Sequence, residues 1–161
     1  MIFDFYNYVE SISQKNKIFV ENDFAFCKVS GPLGLQEAIA KARQKNFFLA
    51  IDDFSDGKVF SNGSAFFTRY VVTIFIFARF DNRNMQDRID KLNLCRLLRA
   101  QIHSRFIRDR HSIDAICYLN VNESLFREFT GAQLNGCTGL YFQLNIDIPT
   151  SMCYDNEQWL E

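Results

Sequence analysis

The chain has little of what usually marks an enzyme. It has only two histidines, His103 and His111, and no G-x-S-x-G elbow, G-x-x-x-x-G-K phosphate loop or H-E-x-x-H helix, so no catalytic set can be assembled from motif chemistry. Cys95 and His103 lie on one helical stretch, but Cys95 also belongs to an apolar stripe and reads better as a small buried hydrophobe. Net charge is nearly absent as well: eighteen basic against nineteen acidic residues leave −1. That gives no general attraction to nucleic acid or an anionic membrane, so specific nucleic-acid binding is not expected and only local patches remain. The five cysteines are scattered, odd in number and free of CxxC pairs. Cys27, Cys95, Cys117, Cys137 and Cys153 are therefore expected as reduced thiols of a cytoplasmic protein. The opening MIFDFYNYVESIS lacks a basic leader and a small-residue cleavage site, so no signal peptide is expected. The apolar run Val71 to Ala78 is too short to cross a bilayer as a helix. No repeat or low-complexity tract is visible. The expectation is a non-enzyme without metal or cofactor.

What the chain does have is aromatic mass and two long periodic segments. Eighteen Phe in 161 residues supply either an aromatic core or subunit contacts, and the length fits one domain over residues 1–161. FFTRYVVTIFIFARF (66–80) is β-branched and aromatic, as suits the middle of a sheet. Beyond DNRN the period changes. Met85, Ile89, Leu92, Cys95, Leu98, Ile102 and Phe106 step by three or four and predict one long helix, capped by Asn84 with Asp87 closing a capping box. One long strand feeding one long amphipathic helix predicts an α+β fold, with a mixed, largely antiparallel sheet packed against that helix and shorter helices elsewhere.

In chain order, residues 2–12 predict a short helix with Ile2, Phe5, Tyr6, Val9 and Ile12 on one face, a candidate for docking on a neighbouring subunit. SQKNKIFVEND reads as a polar lead-in to the strand FAFCKVS (24–30). GPLG breaks the chain before the helix LQEAIAKARQK (35–45). FFLAIDDF (47–54) is the next strand, and Asn62-Gly63 is the strongest reversal signal. DAICYLNV (114–121) and SLFREF (124–129) read as two strands, and TGAQLNGCTG (130–139) as a loop. GLYFQLNIDIP (139–149) alternates Leu140, Phe142, Leu144, Ile146 and Ile148 with polar residues, and Pro149 is expected to stop the ladder. The order is αβαβββαβββ.

Two clusters invite functional readings. Asp52, Asp53 and Asp56 lack the spacing of a calcium loop and read as a solvated turn. The long helix is acidic at its start and carries Arg96, Arg99, Arg105 and Arg108 towards its end, followed by Arg110. That order suits the helix dipole, and Arg105, Arg108 and Arg110 form a candidate basic patch for phosphate or an acidic partner.

LQEAIAKARQKNFFLAIDDF, FFTRYVVTIFIFARFD, NMQDRIDKLNLCRLLRAQIHSRFIRD and NGCTGLYFQLNIDIPTSMCYDNEQW follow one another in an order that, over most of the chain, resembles the tail-terminator or tail-completion proteins of bacteriophages and prophages. The resemblance implies a minor structural subunit that forms a homo-oligomeric ring, commonly hexameric. Such a ring caps the tail tube and meets tail-tube and head-completion proteins, first in the host cytoplasm and then in the virion tail or neck. It implies contacts through the loop bearing Asp52, Asp53 and Asn62, the exposed side of the long strand, and the segment 149–161 with Tyr154 and Trp159. The alternative is a cytoplasmic α+β protein of non-viral role that binds a ligand or a partner. A convergent pocket with perturbed acids would favour the alternative, and apolar surface on two opposite sides would favour the ring.

Overall fold

The structure, a computed structural model, describes residues 4–53, 56–112, 118–129, 134 and 136–158. Its centre is a mixed six-stranded sheet built on two strands of fourteen residues, β4 (Phe66–Arg79) and β6 (Cys137–Thr150), paired antiparallel along their whole length. On one edge of β4 run β2 (Phe47–Asp52) and then β3 (Gly57–Ser61), both antiparallel to it, while β1 (Ala25–Val29) joins β2 in parallel. On the far edge β5 (Leu119–Phe129) pairs with β6. The sheet is therefore mixed and largely antiparallel.

Side-chain alternation divides the sheet into two buried faces. Ile74, Ile76 and Ala78 of β4, with Leu140, Phe142 and Leu144 of β6, meet the long helix α4 (Met85–Asp109) and the short helices α1 (Phe5–Ser13) and α2 (Lys17–Glu21). Phe48, Ala50, Phe77 and Cys137 face the other way, towards Leu35 of α3 (Gly31–Lys41) and Phe129. Gly139 lets the central strands approach: a Cβ there would lie 2.2 Å from the Ile76 carbonyl oxygen.

Several expectations change. KIFVE of the supposed lead-in is α2, because Asn16 accepts a hydrogen bond from the Phe19 amide and Phe19 is buried. GPLG opens α3 instead of breaking the chain, since a proline in the first turn gives up an N–H that has no helical partner anyway. Asn84 caps α4 by accepting from the amides of Gln86 and Asp87, but the Asp87 carboxylate accepts from the Asp81 amide at 2.8 Å, so no capping box closes. The two strands expected at 114–121 and 124–129 are one irregular strand in the part described, with a register shift between Asn120 and Leu125; residues 113–117 lie outside the described residues. Cys137–Gly139 belong to β6 and not to a loop.

Pro149 does not stop the ladder: it pairs with Phe67 and the strand continues to Thr150. The Asp147 amide donates to the Tyr118 carbonyl on the β5 side, and the nitrogen of Pro149, two residues on, faces the same way, away from β4. No hydrogen bond to β4 is lost.

The stripe on α4 also begins later than its spacing suggests. Leu92, Cys95, Leu98, Ile102, Phe106 and Asp109 are buried, whereas Met85 is 64% and Ile89 39% exposed. At about 100° per residue, those two positions fall roughly a quarter turn or more from the centre of the buried face. Leu98→Ala is accordingly expected to cost about 2–5 kcal/mol, and Ile89→Ala much less. Urea unfolding of the two variants checks this, and equal losses would refute the assigned face.

Candidate functional site

The outer halves of the long strands outrun their helical cover. Past Val72, the residues Gly57–Ser61, Phe66–Tyr70 and Ile146–Thr150 form a three-stranded arm whose tip is the turn at Asn62–Ala65. Asn62 builds that turn: its Oδ1 accepts from the amides of Ser64 and Ala65, while Gly63 takes φ +93°, open to glycine at no steric cost.

Register gives the two faces of the arm opposite chemistry. On the α4 side, three rows stack: Ser61–Phe66–Thr150, Val59–Thr68–Ile148 and Gly57–Tyr70–Ile146. None of these nine residues is charged, and Val59, Phe66, Tyr70 and Ile148 are 52, 47, 42 and 38% exposed. Together they make an apolar patch of roughly a few hundred Å², a size that marks interaction surfaces. On the opposite face the charges are tied down. Arg69 donates from Nε and Nη2 to the two carboxylate oxygens of Asp147 at 2.6 and 2.7 Å, and its guanidinium lies 5.1 Å from the Phe60 ring centroid. Phe60 stacks on Phe67 at 5.6 Å. The hydrogen bonds from Arg69 hold the Asp147 carboxyl below the usual range. Among the described residues β3 has no strand partner on its outer edge, and neither has β5, which lies on the opposite side of the sheet with Leu125 66% and Phe126 49% exposed.

The expected contact residues are distributed unevenly. Asn62 sits at the arm's tip. Asp52 and Asp53 lie at the other end of the bend between β2 and β3, where their carboxylates accept from the Gly31 amide and the Ser30 hydroxyl and so anchor the start of α3. Tyr154 is exposed in the segment after β6; Trp159 lies outside the described residues. The basic patch divides. Arg105 and Arg108 line one groove beside α1, but Arg110, at the end of α4, does not. Arg105 donates to Asp109, which also accepts from the Tyr8 hydroxyl at 3.0 Å. The apolar side of α1 is used in its own chain, with Phe5, Val9 and Ile12 buried, and is not left for a neighbour.

His103 bonds the Val121 carbonyl oxygen at 2.8 Å. Among the described residues no group of three or more His, Cys, Asp or Glu is placed to hold a metal ion, and no helix is long and apolar enough to cross a membrane. What residue-by-residue reading missed is the uncharged arm face; its signal is the alternation of Phe66, Thr68 and Tyr70 with Arg69. No protein-family model matches the chain, and no curated protein matches it. Fold and surface define a class: a mixed-sheet α+β protein that carries an exposed apolar β arm.

A carboxylate whose native pKa is lowered stabilises the fold above its unfolded pKa, and that contribution disappears as pH falls through the native value. Asp147→Asn is therefore expected to cost up to about 1 kcal/mol near neutral pH, with the gap from wild type closing below about pH 4. Unfolding at stepped pH reads this directly, and a gap that persists in acid would contradict the ion-pair account.

The thiols yield a second expectation. Burial pushes Cys95 up to about 12, with Cys137 beside it adding to the shift, and burial also raises Cys27 and Cys137. Iodoacetamide should modify exposed Cys153 before Cys27, leave Cys95 and Cys137 untouched in the native protein, and reach all five cysteines after denaturation. Native labelling of Cys95 would place it outside the core.

Proposed function

We propose that the chain is a ring-forming structural subunit that caps or completes a bacteriophage tail tube and takes part in head–tail joining. The observation that supports it is the arm, a three-stranded extension with an uncharged apolar face, together with the edges of β3 and β5, which have no strand partner among the described residues and lie on opposite sides of the sheet. A ring closed by one repeated contact uses two different patches on each subunit. The arm supplies one patch, and the β5 edge with Leu125 and Phe126 supplies the other. The phage setting, six copies and the tail-tube and head-completion partners rest on the sequence resemblance alone. The non-viral ligand-binding alternative gains less, because the described clefts lie open along the surface and the carboxylates with lowered pKa (Asp87, Glu128 and Asp147) are paired with Lys or Arg.

Val59→Asp puts a charge on the apolar arm face at an exposed position, where the cost to folding is small. Tails assembled with wild-type chain, with Val59→Asp and without the chain are compared by electron microscopy. Wild type should give tails of uniform length with heads attached. The variant, folded as judged by circular dichroism, should resemble the omission, with irregular length or missing heads. Normal tails and heads in the absence of the chain would end the proposal.

A further inference from the structure

We propose that the groove between the α1–α2 junction and the C-terminal half of α4 binds a phosphate group, carried by a small phosphorylated molecule or by a nucleic-acid backbone. This site is separate from the arm and does not depend on ring assembly. Its floor is apolar, made by buried Ile12 and Ile102, and its walls carry Lys15, Asn16, Gln101, Ser104, Arg105 and Arg108.

Three of those six side chains are cationic and none is a carboxylate. Neither Lys15 nor Arg108 has an ion pair or side-chain hydrogen bond among the described residues, and both are exposed. Arg105 reaches Asp109 through Nε at 2.6 Å and also interacts with the Tyr8 hydroxyl, so its charge is partly engaged, and the cations without an ion pair among the described residues are Lys15 and Arg108. Asp109 is only 3% exposed and takes both Arg105 and the Tyr8 hydroxyl on one oxygen, so it is turned inward and does not line the groove.

The amide pair sharpens the chemistry. Asn16 Oδ1 is occupied by the Phe19 amide at 3.1 Å, and Asn16 Nδ2 donates to Gln101 Oε1 at 2.7 Å. Both amide oxygens are thus engaged, and the pair offers the groove the remaining N–H groups of Gln101. With the Ser104 hydroxyl, the walls present mainly donors and positive charge, which suits an oxyanion with several acceptor oxygens and two negative charges.

Amide NMR of the full chain titrated with inorganic phosphate tests this, with chloride at matched ionic strength as the control. Phosphate should shift amides of α1, α2 and the C-terminal half of α4 saturably, and Lys15→Gln and Arg108→Gln should each weaken binding about tenfold. Both variants change exposed side chains, and their spectra show whether the fold is kept. A fluorescent DNA duplex forms the second arm. Duplex binding weakened by the same two substitutions assigns the phosphate to a polymer backbone, whereas phosphate binding without duplex binding assigns it to a small molecule. The proposal is overturned if neither probe binds, if chloride reproduces the shifts, or if the two substitutions leave binding unchanged.

Discussion

The pairing of β4 with β6 is the interaction on which the rest of the structure depends. It runs through all fourteen residues of each strand and places them side by side in the middle of the sheet. Along the inner half, alternation sends Ile74, Ile76, Leu140 and Phe142 to α4 and Phe77 to the α3 side, so one ladder serves both cores. The approach at Gly139, directly opposite Phe77, holds only without a side chain there. The same ladder, carried outward past the helices, becomes the arm. Exposed apolar surface on the arm is thus the continuation of the α4-facing core pattern beyond the reach of the described helices.

Charge is arranged so that this continuation stays clean. Lys58, Arg69 and Asp147 all fall on the far face of the arm, where ion pairing and contact with the Phe60 ring hold them. A charge moved by one position along any of the three strands would land on the apolar face, because the side-chain period is two. On the helical layer a different economy applies. Asp109 extends the buried stripe of α4 by one turn, and its burial is tolerable because Tyr8 and Arg105 both donate to it. That contact also ties α1 to the end of α4 and sets one wall of the donor-lined groove.

Much of the fold could be read in advance wherever a pattern was long. The fourteen-residue strand, the 25-residue helix and the alternation of Leu140, Phe142 and Leu144 carry enough periods to outweigh local exceptions. Short or punctuated segments misled. Five residues of α2 are too few for a periodic signal, and GPLG has the composition of a breaker although proline suits a first helical turn. The effect of Pro149 depends on which neighbour its nitrogen faces, and that is set by the register of β6 between β4 and β5. The groove was half legible: Arg105 and Arg108 stood out on the helix that also carries Gln101, but Lys15 and Asn16 join them only through packing between segments some 85 positions apart.

By itself the sequence determined the α+β class, the long strand and helix, the cap at Asn84 and the reversal at Asn62-Gly63, because each is written in neighbouring residues and their periods. Only the tertiary structure decided where burial ends. Phe66 and Ile148 continue apolar strand patterns whose inner members are buried, yet they lie in the open. A hydrophobic pattern specifies which face a residue takes, while the reach of the elements packed against that face specifies whether water is excluded from it.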